Sequence, residues 1–421
     1  MALEITAVRP DPALLDLPWS TPLEEWPEPH LAALPRGISR HVVRFVKFSG
    51  RVIAVKEIAP HLAVREYNML RLLTKIHQPC VQPFGVVSGR TSADGDELDA
   101  CLLTRHLQFS LPYRALFSQS LRPDTAQRLI DALAVLLVRL HLAGFWWGDV
   151  SLSNTLFRRD AGAFAAYLVD AETGEIHTHL SEGQREYDLD IGRVNIAGEL
   201  MDLEAAGFLA EAADPLKVSK SIVERYRSLW RELTERERFE QGDRWRVDER
   251  IRRLNELGFD VDELAISTDI EGTTIQIQPK VVDAGHHSRR LLRLTGLDVE
   301  ENQARRLLND LDAFRASQDR QNDDEDLVAH DWLSQIYEPI TRTVPRDLTR
   351  KLEPAEVFHE VLEHRWYMSE TAGHDTSIED AIADYIVRVL PGKPDEAAVL
   401  GTDTVEMPVV AMFPEMELPG R

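Results

Sequence analysis

The chain has 421 residues, long enough for two or three domains, and carries 48 Lys and Arg against 71 Asp and Glu for a net charge of −23. That surplus argues against non-specific nucleic-acid binding and against docking on an anionic membrane surface, while leaving room for a local basic pocket. The two cysteines, Cys80 and Cys101, lie far apart in apolar surroundings and give neither a disulfide framework nor a Cys-rich metal site, which fits a reducing cytoplasm.

Residues 1–36 are rich in proline (Pro10, Pro12, Pro18, Pro22, Pro27, Pro29, Pro35) with apolar residues between, the pattern of an extended arm packed on a domain. The first residues lack a basic stretch followed by an apolar core, so no secretory signal is expected. Leu34–His41 holds one glycine, Gly37, flanked by Arg36 and Arg40. A β-hairpin through Ser49–Gly50 then leads into Arg51–Ile58, whose alternation predicts a strand ending near Lys56. His61–Leu73 reads as a helix with Glu66 inside it and Leu70 one turn later on the same face. Ser88–Leu98 is a Gly- and acid-containing loop, and Cys101–Leu107 is an apolar strand that turns polar at Thr104 and His106. The apolar run Leu133–Leu140 predicts a buried helix ending at Gly144; as a membrane span, Ala132–Trp147 is too short and is interrupted by Arg139 and His141. A tight loop then presents Asp149, Asn154 follows five residues later, and a β-hairpin ends in Tyr167–Asp170. Tyr187–Arg193, with Asp188 and Gly192, starts another helix.

Residues 215–258 predict helices of dense mixed charge, by default a solvated helical face and otherwise a hairpin completing the preceding lobe. Thr273–Val282 alternates as a strand, Arg289–Phe314 is helical with a break at Leu294–Asp298, and Asp323–Asp326 is expected in a surface loop. Trp332–Leu390 returns to helical periodicity before a Pro-rich tail, 391–421. His359 and His364 stand five apart, one more than a zinc helix needs to bring two rings to one face, so they are expected as surface histidines. His286 and His287 likewise lack a partner at metal-ligand spacing.

The stretch 141–154, H-L-A-G-F-W-W-G-D-V-S-L-S-N, resembles the catalytic loop of the protein-kinase-like superfamily, most closely its lipopolysaccharide-kinase and small-molecule-kinase branches. Their loop reads H-x-x-G-x-x-H-G-D-x-x-x-x-N. This chain keeps His141, Gly144, Gly148, Asp149 and Asn154 and has Trp147 in place of the second His. The resemblance implies an α+β fold of two lobes: a small β-rich N-lobe (37–107) and a helical C-lobe with the catalytic loop (108–214). An additional, mainly helical C-terminal domain (215–390) follows; the arrangement resembles a bacterial family in which a kinase-like half precedes a domain of unknown function. It also implies roles. Asp149 accepts the proton of an attacking hydroxyl, and Asn154 and Asp170 hold Mg²⁺. Lys56 pairs with the phosphates of ATP, and Glu66 fixes it, with Glu57 the less favoured alternative. Thr104 and His106 lie on the strand and hinge that carry the adenine, and Asp188 braces the catalytic loop.

Departures from the pattern set two readings apart. The glycine-rich lid is absent, and Arg36, Gly37, Ser39 and Arg40 stand where it would be, either covering phosphates with side chains or forming an ordinary basic turn. The usual D-F-G is Asp170-Ala171-Glu172, with Glu172 either a water-mediated metal ligand or a surface acid. The short segment from Asp170 to Asp188 and the lack of an A-P-E motif argue against a regulated activation loop of the protein-kinase kind and favour a constitutively formed site with a non-protein acceptor, protein acceptors staying open. Phe145, Trp146 and Trp147 form a cluster that anchors the loop or, alternatively, offers a platform for a sugar or ring. The first reading is an ATP- and Mg-dependent phosphotransferase acting on a hydroxyl of a small molecule, sugar or glycolipid. The second is a pseudokinase, a nucleotide-binding scaffold whose output is the C-terminal domain, which is left open to a protein partner.

Overall fold

The computed structural model describes residues 2–9, 11–32, 41–117, 123–210, 213–235, 237–240, 244–256, 259–268 and 274–397. Arg36, Gly37, Ser39 and Arg40, and the tail beyond residue 397, lie outside the described residues.

Strand β1 (Glu4–Ala7) opens the arm, and β2 (Val42–Phe48) and β3 (Arg51–Ile58) form the hairpin through Ser49–Gly50. Helix α1 (Pro60–Lys75) follows, then β4 (Pro83–Ser88) and β5 (Ala100–Arg105). These strands make one antiparallel sheet in the order β1-β4-β5-β3-β2. Alternation sorts its side chains. Ile53 and Val55 face the arm, where Leu14, Leu17, Trp19, Leu23 and Trp26 are buried against them. Ile58 and Leu102 face α1, a helix started by Pro60 at its first turn, where a missing N–H costs nothing. Its buried stripe is Ala63, Glu66, Tyr67, Leu70 and Leu73, so Glu66 sits among apolar neighbours on the inner face.

After β6 (Ser110–Pro112) and the short α2 (Tyr113–Leu116) comes the central helix α3 (Pro123–Leu142). It delivers the chain to β7 (Phe145–Trp146), the loop with Asp149, and the hairpin β8 (Thr155–Asp160) and β9 (Ala163–Leu168). Strand β10 (Glu175–Ile176) pairs back with β7, and α4 (Glu182–Ala205) begins at a capping box in which Ser181 and Gln184 satisfy each other's backbone.

Helix α5 (Pro215–Thr234) corrects the expectation of a solvated face. Val218, Ile222, Tyr226, Leu229 and Leu233 recur at helical spacing and join the core of α3, while Lys217, Lys220, Glu224 and Arg231 keep the outer face charged. It completes the helical lobe. Strand β11 (Glu237–Glu240), helix α6 (Arg244–Glu256), β12 (Phe259–Thr268) and β13 (Thr274–Ala284) follow, in the sheet order β11-β13-β12. A second apolar core, from Leu291 to Leu390, is built by α7 (His286–Thr295), α8 (Glu301–Ser317), α9 (Glu325–Trp332), α10 (Glu338–Arg342), α11 (Pro354–Ala372) and α12 (Ile378–Asp384). The Asp323–Asp326 run, expected in a loop, has Asp324 as the cap of α9 and Glu325 and Asp326 in its first turn. The architecture is α+β: a small β-rich N-terminal lobe, a helical lobe and a mainly helical C-terminal domain. No helix among the described residues is long and apolar enough to cross a membrane.

Candidate phosphoryl-transfer site

Lys56 points to the α1 side of its strand, and three carboxylates meet its ammonium. Nζ lies 3.0 Å from Glu66 Oε2, 2.6 Å from Asp170 Oδ2 and 3.3 Å from Glu172 Oε2. Glu57, one residue on, points to the other face; there it takes Arg90 Nη1 at 2.5 Å and the Leu23 N–H, binding the arm to the sheet. Glu66, and not Glu57, is therefore the acid that meets Lys56. Glu66 is buried and also accepts from the Ala171 backbone. Glu172 reaches both Lys56 and His41, whose Nε2 is 3.4 Å away.

The electrostatics of this cluster are unbalanced. Burial pulls the Lys56 ammonium down, but the charges of Glu66 and Asp170 outweigh it and hold its pKa above the ordinary value. Burial, and then the charge of Asp170, pushes Glu66 up to about 8 against the pull of Lys56. One ammonium does not neutralise three acids. Glu66, Asp170 and Glu172 offer oxygens within 4.8 Å of one another, a hard-oxygen set suited to a divalent cation.

Asp149 belongs to a second cluster. Asn154 Nδ2 donates to Asp149 O and Oδ2, each at 3.1 Å, and Asn195 Nδ2 donates to Asp149 Oδ1 at 3.3 Å and Val150 O at 3.1 Å. The loop is braced from α4. Asp188, fully buried, accepts from Trp147 N–H at 2.8 Å, Gly148 N–H at 2.8 Å and His141 Nε2 at 3.1 Å. His141 Nδ1 in turn lies 2.8 Å from the Tyr226 hydroxyl of α5. Glu199 accepts from Leu152 N–H at 2.8 Å and Ser153 N–H at 2.9 Å. Gly148 holds φ at +74°, a conformation side chains rarely adopt, and Gly192 lets Val150 approach where a Cβ would meet its Cγ1 at 2.8 Å.

Asn195 and Glu199 escaped sequence reasoning. Their signal was the spacing 188, 192, 195, 199, which places all four on one face of α4. Trp147 is wholly buried, and its Nε1 donates to Asp170 O at 2.9 Å, joining the two clusters. Phe145 is wholly buried too, so these two rings anchor the loop; Trp146 stacks on Tyr187 at 6.3 Å and 13°. Thr104 lies in β5 opposite Ala54, and His106 follows the strand's end. The His106 N–H bonds Val52 O at 3.3 Å, its ring meets Phe45, and burial pushes its pKa down to about 4.

His359 is not the surface residue expected. It is buried beside Arg306, while His364 pairs with Asp384 at 2.9 Å. His287 takes Glu301 at 2.7 Å. A cavity of about 350 Å³ between the β8–β9 turn and helices α8 and α11 is lined by Ala161, Arg306, Phe358, His359 and Trp366; Lys56 is not among its lining residues.

Residues 228–390 match a family model described as a domain of unknown function, DUF4032. No curated protein matches the chain. Among solved structures the chain is similar to WaaP, described in complex with acyl carrier protein, at 16% identity and a TM-score of 0.35, over 61% of this chain and 99% of that one.

Proposed function

We propose that the chain is an ATP- and Mg²⁺-dependent phosphotransferase acting on a hydroxyl of a small molecule, sugar or glycolipid. The observation that carries the reading is the convergence of Lys56, Glu66 and Asp170, from a strand, a helix and a loop, beside a loop whose Asp149 is held by Asn154 and Asn195. The donor set fits the expected ligands: the surplus of carboxylate over ammonium suits a divalent cation, and Lys56 suits phosphate oxygens. In this reading Lys56 holds phosphate and Asp170 and Asn154 hold the metal, which supplies charge neutralisation. Asp149 receives the acceptor's proton, its carboxylate aimed by two amide donors. Such chemistry asks mostly for positioning and charge.

Glu172 favours a second reading. An acid paired with Lys56 at 3.3 Å, where the family has glycine, competes with phosphate and suits a nucleotide-binding pseudokinase. Purified chain with Mg-ATP decides between them. Consumption of ATP that ends in Asp149→Asn, with Mg-ATP binding kept in that variant, supports transfer. Binding without turnover across a panel of hydroxyl acceptors supports the scaffold, and absence of binding sinks both.

A further inference from the structure

Hairpin β8–β9 carries one expected metal-binding residue at each end: Asn154 precedes it and Asp170 follows it. Its base is locked, since Thr155 pairs with Leu168 and the Val169 N–H donates to Asn154 O at 3.0 Å. Its tip is gripped by the C-terminal domain. Arg158 pairs with Glu300 at 2.8 Å and also with Glu353, and Arg159 pairs with Glu396 at 2.6 Å. Asp160 accepts from the Gln303 N–H and the Asn302 side chain, both at 2.8 Å, and the Ala161 N–H donates to Glu356 at 3.0 Å. The start of α8, the start of α11 and the chain beyond α12 thus meet on one strand end.

Arg159 and Asp160 are each only 3% exposed. Charges held out of water tolerate little displacement, because a shift on one side leaves an unpaired buried ion. Tip and C-terminal domain therefore move together. A strand of six residues spans about 20 Å, so a small tilt at the tip displaces the base.

We propose that the C-terminal domain sets the placement of Asn154 and Asp170 through this hairpin, with Arg158, Glu300, Glu353 and Glu396 as positioning residues. The inference rests on the phosphotransferase reading and gives the domain of unknown function a role in it.

The test uses the full chain, and Mg-ATP binding by the wild type is read first; its absence fails the site reading and this inference with it. Given binding, Arg158→Gln should weaken the apparent Mg²⁺ affinity at saturating ATP at least fivefold. It should lower kcat while changing KM for ATP less than twofold, and Arg158→Lys should recover part of both. A merely structural contact would lower the melting temperature and leave the Mg²⁺ dependence alone. Wild-type Mg²⁺ dependence and kcat in a folded Arg158→Gln protein overturn the proposal. Should that variant fail to fold, hydrogen exchange on the wild type decides. Saturating Mg-ATP should slow the Ala161 and Gln303 amides at least threefold more than the Val361 amide in the domain's core. Equal changes at all three overturn the coupling while leaving the site reading intact.

Discussion

Replacing Asp188 by Asn changes almost no volume and removes one charge, so it isolates the brace under the loop that carries Asp149. The carboxylate serves two backbone donors from different oxygens: Gly148 N–H on Oδ1 and Trp147 N–H on Oδ2, the latter shared with His141 Nε2. A carboxamide offers one acceptor. With its oxygen toward Gly148, its NH₂ faces the Trp147 N–H; the other orientation faces Gly148 instead. His141 adapts by changing tautomer, because its other nitrogen meets a hydroxyl that can donate or accept. One loop N–H is orphaned either way, at about 1–3 kcal/mol, and the surviving bond loses its charge assistance, roughly 1 kcal/mol more. The sum is about 2–4 kcal/mol, or a fall in melting temperature on the order of 6–12 °C for a domain of this size.

Urea unfolding followed by tryptophan fluorescence measures this directly, since Trp147 sits in the braced loop. The loop carries Asp149, and misplacement of a reacting group by about 1 Å costs on the order of a hundredfold, so turnover should fall more than tenfold while Mg-ATP affinity changes little. A destabilisation below about 0.5 kcal/mol would refute the reasoning, because it would mean that the loop donors do not depend on Asp188.

Gly192→Ala should destabilise by about 1–3 kcal/mol in the same assay, since its Cβ would sit 2.8 Å from Val150 Cγ1 in a packed core; a neutral result would mean that α4 yields without cost. Lys56→Ala and Asp170→Asn should each weaken Mg-ATP binding at least tenfold by calorimetry, whereas Asp149→Asn should act on kcat; equal loss of affinity in all three would contradict these roles. Stability should fall as pH rises from 6.5 to 8. Burial, with Glu300 beside the first, pushes Asp160 and Glu396 up to about 7, and burial with Asp170 pushes Glu66 up to about 8. The native state therefore binds protons there that the unfolded chain has lost, so the stability present at low pH disappears through the folded pKa values. Below pH 6.5, His106 and His359, pushed down to about 4 by burial, act in the opposite sense, so the clean window lies above it. Denaturant melts across that window check the sign, and stability rising with pH would count against it.

The parts of the site legible in the sequence are those set by local periodicity. Strand alternation places Lys56 and Glu57 on opposite faces, and helical spacing puts Glu66 with Leu70 on a buried stripe. The face of α4 that braces the loop was half legible: Asp188 and Gly192 were read, while Asn195 and Glu199 were passed over at the same spacing. What periodicity does not encode is the partner of a face. The charge density of residues 215–258 suggested a solvated helical face first and a lobe-completing hairpin second, yet the apolar stripe of α5 joins the core of α3. His359 looked like a surface residue because its helix is charged, and it is buried because Arg306 and α8 cover it. Arg158 to Asp160 gave no sign of their partners, which lie more than a hundred residues away.

The segment between Asp170 and Asp188 supports a site that is already formed. Glu175 and Ile176 pair with Trp146 and Phe145, and the His177 N–H donates to Gly144 O at 2.8 Å. The Thr173 hydroxyl donates to Trp147 O at 2.7 Å, and Arg65 of α1 reaches Gly174 O at 3.2 Å. Relocating this segment would break bonds to the Asp149 loop and to α1 together, so switching by its movement is disfavoured. The freedom left is electrostatic. Lys56 is shared by three acids, only one of them on α1, and a phosphate arriving at Lys56 has to displace Glu172 or Asp170 from it. A divalent cation taken by the released carboxylates makes that displacement favourable, whereas free ATP adds negative charge to a cluster already in surplus. Nucleotide and metal should therefore bind with positive coupling, and by reciprocity each should raise the other's affinity by the same factor. Titrating ATP with and without Mg²⁺, and then in Glu172→Gln, measures it: the variant should bind metal-free ATP more tightly than the wild type, and an unchanged affinity would place Glu172 outside the exchange.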